Sequence, residues 1–68
     1  MGSQKEIGKN IKKARLKAGL TQAKAAKKAG IHTNYFARIE RGEENPTSEV
    51  LEAIIKALGV TSSDILPY

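Results

Sequence analysis

The sequence predicts an all-α fold, five short helices packed around one small core. Three observations predict it. Apolar residues recur at spacings of three and four along most of the chain, the period of a helix rather than of a strand. Glycines follow these stretches, and residues with good capping side chains stand before the next ones. No segment alternates polar and apolar residues in the manner of a strand.

Helix 1 is expected over about 4–18, where Ile7, Ile11, Ala14 and Ala18 recur at helical spacing and Gly19 acts as a stop. Thr21 then caps helix 2, over about 22–29, which turns Ala25, Ala26 and Ala29 inward and ends at Gly30. Helix 3 covers about 33–41, with Phe36 and Ile39 inward and Gly42 closing it. Glu43-Glu44-Asn45-Pro46 is a loop, because proline lacks a backbone donor and restricts the residue before it. Thr47 or Ser48 caps helix 4, which carries Val50, Leu51, Ile54, Ile55 and Leu58 to a stop at Gly59. A short fifth helix begins near Ser62, behind a polar Ser62-Ser63-Asp64 cap, and holds Ile65 and Leu66. Connections of a few residues join these elements into one domain over about 4–68. Met1-Gly2-Ser3 reads as a vector-derived leader outside the fold.

At 68 residues the chain is near the size at which a single apolar core is only marginally sufficient. With no cysteine, it has neither a disulfide framework nor a thiolate metal site, and a reducing, cytosolic setting is compatible with that. No apolar run approaches the roughly 20 residues of a membrane span, and the N-terminus lacks the apolar block of a signal peptide. These features point to a soluble intracellular protein. The formal charge of +5 is unevenly distributed: residues 1–30 hold nine of the 12 basic residues and one of the seven acidic ones, and residues 31–68 hold the rest. A basic half is expected of a domain that meets phosphate backbone, because each neutralised phosphate releases counterions. Any one lysine is explained as solvating a helix face; the asymmetry is what favours nucleic acid over other polyanions. An enzyme is disfavoured, because no paired carboxylate site, Cys/His dyad, Gly-rich phosphate loop or metal-ligand cluster occurs. So small a domain also leaves no room for an effector pocket, and no cofactor, metal or small-molecule ligand is expected.

From Gln22 to Glu40 the residues fit two helices meeting at a sharp turn. Ala26 falls where the helices approach most closely, Gly30 begins the turn, Ile31 fills the core beneath it, and Phe36 and Ile39 hold the second helix. A plain helical hairpin accounts for each residue singly; their joint occurrence at fixed offsets is more specific.

Ile7-Gly8, Arg15, Gly19-Leu20-Thr21-Gln22, Ala26, Ala29-Gly30-Ile31, Tyr35, Arg38-Ile39-Glu40-Arg41-Gly42, Asn45-Pro46-Thr47 and Ala57-Leu58-Gly59-Val60 together form a recognisable pattern. Through them the chain, over Ile7 to Leu66, resembles the Cro and phage-repressor type of helix-turn-helix domain, the XRE family. The resemblance implies a five-helix, lambda-repressor-like domain that binds double-stranded DNA in a sequence-specific way, usually as a homodimer on a palindromic operator. It also implies a cytoplasmic regulator, bacterial or phage-encoded and associated with the nucleoid. A protein-interaction module using the same fold is the alternative, since fold alone does not dictate function.

The resemblance assigns roles residue by residue. Helix 3 becomes the recognition helix, its N-terminal part facing base edges in the major groove. Thr33, Asn34 and Arg38 occupy the base-reading positions, with His32 and Tyr35 beside them. Asn34 suits the N6 and N7 edge of adenine, Arg38 the O6 and N7 edge of guanine, and Thr33 a hydroxyl contact or a thymine methyl. Gln22 opens helix 2 against the DNA backbone, where free amides and the helix dipole favour a phosphate. Arg41 lies along phosphates and sets register. Arg15 and Glu40 form a structural pair between helices 1 and 3, with Arg15 able to share its fork with a phosphate. Simpler roles stand beside these: Thr33 and Asn34 also suit the first turn of any helix, Tyr35 also fits as a half-buried core ring, and His32 is a poor N-cap.

Three departures from the family pattern carry expectations. Ala14 and Ala25 stand where leucine is usual, and Phe36 where isoleucine or leucine is usual, a volume exchange that cores tolerate. Glu43 and Glu44 make acidic a loop that is often basic, so they either weaken the backbone contact or point outward. Ile65, Leu66, Pro67 and Tyr68 either cover the bottom of the core or form a two-fold contact, which would place two recognition helices roughly 34 Å apart.

Overall fold

The computed structural model describes residues 3–67. Met1 and Gly2 of the expected leader, and Tyr68 of the C-terminal apolar group, lie outside the described residues. Among the described residues five helices follow in the expected order: α1 (Ser3–Lys17), α2 (Gln22–Ala29), α3 (Thr33–Glu40), α4 (Ser48–Leu58) and α5 (Ser62–Ile65). Ser3 opens α1. The helical spacing was expected to run to Ala18, but α1 has ended before it and it is exposed. The chain is already turning there, with the amides of Gly19 and Leu20 bonded back to the carbonyls of Leu16 and Arg15 at 3.0 and 3.1 Å.

The helix starts show why these boundaries hold. Thr21 Oγ1 accepts the Lys24 amide at 3.1 Å, satisfying one of the amides a helix N-terminus leaves free. At α4 the cap is Thr47 rather than Ser48, its Oγ1 accepting the Val50 amide at 3.2 Å. At α5 the cap moves from the expected serines to Thr61, whose amide donates to Asp64 Oδ2 at 3.0 Å. That hydrogen bond is the leading reason the Asp64 carboxyl titrates below its usual range.

α2 lies against α4 and α3, while α1 lies against α3 and α5. Each helix supplies the core: Ile7 and Ile11, Ala25 and Ala26, Phe36 and Ile39, Ile54 and Leu58, and Ile65. Phe36 is the largest fully buried side chain, and burying such a ring contributes about 1.5–3 kcal/mol. The fully buried Ala25 shares its cluster and the half-buried Ala14 packs at its edge, the arrangement the volume exchange requires. α1 and α3 meet at Gly8, where an added Cβ would strike the carbonyl oxygens of Ile39 and Glu40, 2.5 Å from the latter.

Asn10 Nδ2 ties α5 to α1 by donating to the Ile65 carbonyl at 2.8 Å. Ile65 is fully buried, so of its two expected roles it takes the first and covers the core. Leu66 is half-buried and Pro67 exposed. The expectation of no pocket needs one adjustment: an open groove of about 430 Å3 runs between α1 and the ends of α4 and α5, flanked by Lys13, Lys17 and Asp64. None of its lining residues belongs to α2 or α3. Among the described residues no helix is long and apolar enough to cross a membrane.

Candidate nucleic-acid interface

α2 and α3 meet at the turn foreseen from Gly30. Gly30 has φ +75°, a left-handed conformation that a Cβ disfavours, and its amide bonds to the Lys27 carbonyl at 3.1 Å. The Ile31 amide reaches back to the Ala26 carbonyl at 3.0 Å, and the Ile31 side chain packs against the core. The backbone thus leaves α2 and enters α3 within three residues.

α3 has two sides. Phe36, Ile39 and Glu40 are buried on one. Asn34, Arg38 and Arg41, spaced four and three apart, are exposed along the other, with Thr33 and His32 at its start. His32 is the N-cap residue, with extended backbone and no side-chain capping bond, and Thr33 and Asn34 stand in the first turn of α3. Tyr35 is half-buried and packs against the core, in keeping with the core-ring role.

The buried side of α3 is fixed by a polar network. Arg15 Nε and Nη2 donate to Glu40 Oε2 and Oε1 at 2.6 and 3.2 Å, and Arg15 Nη1 donates to the Leu20 carbonyl at 2.9 Å. The Arg15–Glu40 pair stands as expected. Three of the five Arg15 guanidinium N–H groups are thereby engaged within the protein, and the side chain is only 9 % exposed. Gln22, expected against the DNA backbone, is half-buried and donates its Nε2 to Glu40 Oε1 at 2.9 Å. The first residue of α2 and the last of α3 are thereby joined through one carboxylate. Among the described residues no buried side-chain nitrogen or oxygen lacks a partner.

The loop after α3 carries what the sequence reading missed. Gly42 has φ +77°, and a Cβ there would stand 2.7 Å from Lys5 Cγ, so glycine is required for both conformation and space. Its amide bonds to the Ile39 carbonyl at 3.0 Å and the Glu43 amide to the Arg38 carbonyl at 2.9 Å. Gln4 Nε2 donates to the Gly42 carbonyl at 2.8 Å. So held, Glu43 accepts two hydrogen bonds from Arg41, Nε to Oε2 at 2.8 Å and Nη2 to Oε1 at 3.1 Å. The Arg41 hydrogen bond is the leading reason the Glu43 carboxyl lies below its ordinary range. Glu44 Oε2 stands 3.7 Å from Arg38 Nη1. The acids expected to weaken the backbone contact or point outward are exposed, and each stands against an arginine of the exposed stripe. The lysines of α1 and α2 are all exposed, and no three His, Asp or Glu side chains gather as a metal site among the described residues.

Known proteins share this architecture. A family model described as helix-turn-helix matches residues 11–65. The immunity repressor protein of Bacillus phage phi105 is 42% identical over 60 residues, covering 88% of this chain and 42% of the repressor. The control protein C.BamHI of Bacillus amyloliquefaciens is 37% identical over 63 residues, covering 91% of this chain and 78% of that protein. Among solved structures, the restriction-modification controller protein C.Esp1396I, crystallised as a tetramer with its natural 35 base-pair operator, matches with a TM-score of 0.85 at 35% identity. That match covers 93% of this chain and 83% of the controller. The chain thus spans less than half the length of the phage repressor and most of the controller proteins.

Proposed function

The chain belongs to the XRE-type helix-turn-helix family of DNA-binding transcription regulators, and on that premise we propose that α3 lies in the major groove and reads an operator. The observation that supports this most is the division of α3. One side is locked by Phe36, Ile39 and the Arg15–Glu40–Gln22 network, and the other presents Thr33, Asn34 and Arg38 to solvent. A helix anchored in this way loses little freedom on docking, so side-chain contacts to bases translate into discrimination.

In this reading Asn34 and Arg38 read adenine and guanine edges, Thr33 adds a hydroxyl or methyl contact, and His32 sits beside them at the helix entry. Arg41, Gln22 and the Tyr35 hydroxyl meet phosphates and set register without reading sequence. The exposed lysines of α1 and α2 supply the long-range attraction. The protein acts by occupying DNA in the cytoplasm rather than by catalysis, as a repressor or controller. A second copy joins through the C-terminal end, where Leu66 is half-buried and Pro67 exposed, so that two α3 helices reach half-sites one DNA turn apart.

Selection of bound sites from a random duplex pool, followed by titration of the selected duplex at several salt concentrations, tests the reading. Affinity is expected to fall by orders of magnitude between 50 and 200 mM salt if about six or more phosphates are contacted. Failure to enrich any site, or an affinity indifferent to salt, overturns it.

A further inference from the structure

Each acid of the loop after α3 sits against an arginine that the functional reading above directs to DNA. Glu43 fills the Arg41 fork with two hydrogen bonds, and Glu44 stands beside the Arg38 guanidinium. The placement is set by the backbone rather than by side-chain chance. Gly42 is pressed against Lys5, its carbonyl is held by Gln4, and the Glu43 amide is bonded to the Arg38 carbonyl. α1 therefore helps fix the backbone from which the two glutamates extend.

A carboxylate offers a guanidinium the same planar pair of acceptor oxygens that a phosphate does, and one fork serves one or the other. All four side chains are 42–57 % exposed, and exposed pairs of this kind are weakly held and open to exchange. We propose that Glu43 and Glu44 are an internal stand-in for DNA, determinants of affinity and specificity that Arg41 and Arg38 exchange for phosphate and base edge on binding. The inference rests on the DNA-binding reading.

The two acids act differently because their arginines do. Arg41 exchanges Glu43 for a phosphate on any duplex, so Glu43 weakens binding to every sequence alike. Arg38 exchanges Glu44 only where a guanine edge offers more than the carboxylate does. On other sequences Glu44 keeps Arg38 from settling on a nearby phosphate. Glu44 thus suppresses unspecific binding, a repulsive element of the kind that discrimination needs.

Fluorescence anisotropy with the full chain, a site-selected duplex and a random duplex tests this. Glu43→Gln is expected to tighten binding to both duplexes about fivefold, the effect of removing one unit-charge repulsion near 4 Å in water. Glu44→Gln tightens the random duplex more than the selected one, so the ratio between them falls. Glu52→Gln, on the exposed side of α4, makes the same change in net charge away from the arginines and is expected to shift either affinity less than twofold. If wild type binds but the loop variants gain nothing, or if Glu52→Gln gains as much as they do, the inference is overturned while the DNA reading stands. If wild type binds neither duplex, the DNA reading fails and the inference with it.

Discussion

Two arginine–glutamate pairs in this small domain have nearly the same geometry and opposite surroundings. Arg15 Nε and Glu40 Oε2 lie 2.6 Å apart with side chains 9 and 2 % exposed, whereas Arg41 Nε and Glu43 Oε2 lie 2.8 Å apart with side chains 57 and 55 % exposed. Distance alone would rank them as equals. Surroundings separate them, because a buried charge that loses its partner has no water to turn to, while an exposed one exchanges its partner for solvent or for another anion. The first pair therefore belongs to the scaffold that sets α3 in place, and the second to the surface that α3 presents.

The contrast is tested first by breaking the buried pair. Arg15→Ala strands Glu40 in the interior with Gln22 as its remaining side-chain partner, and is expected to cost about 3–5 kcal/mol in chemical denaturation. Replacing both members by apolar residues, Arg15→Met with Glu40→Leu, is expected to cost less than either single truncation. The helix contact beneath the pair comes next. Gly8→Ala forces a methyl onto the Ile39 and Glu40 carbonyls and is expected to cost about 1–3 kcal/mol despite alanine's better helix propensity. Phe36→Ile removes ring volume beside two alanines, with an expected cost of about 1–3 kcal/mol; a melt without loss of stability would refute the volume exchange. Smallest is the exposed pair: Glu43→Gln is expected to leave the melting temperature unchanged. Equal losses from Arg15→Ala and Glu43→Gln would erase the distinction between the pairs.

The helices were legible in the sequence because their signals are local. Gly19, Gly30, Gly42 and Gly59 all adopt positive φ at the stops where the sequence placed them. Ala18 misled because alanine counts as apolar in a periodicity although it needs no burial, so the pattern ran past the end of α1. The Arg15–Glu40 pair came from family resemblance, since the two lie 25 positions apart and no periodicity joins them. Gln22 was placed on the correct helix end but given only an outward role. The Arg41–Glu43 pair was invisible for a different reason. Residues two apart do not face each other on a helix, and they meet here only because α3 has ended and Gly42 turns the chain. The candidate base-reading residues came from family resemblance rather than from spacing; their counter-ions depended on a turn whose shape spacing alone does not give.

The central claim is that the outer side of α3 divides into a part that reads sequence and a part that holds the backbone. Arg38→Ala and Arg41→Ala, titrated against a site-selected duplex and a random one, test it most directly. Arg38→Ala is expected to lose about 1–3 kcal/mol on the selected site, with preference relaxed at one base pair and little change on random DNA. Arg41→Ala is expected to weaken both duplexes by the same factor. If both variants instead weaken the selected and the random duplex alike, α3 does not read bases through Arg38 and the division is contradicted.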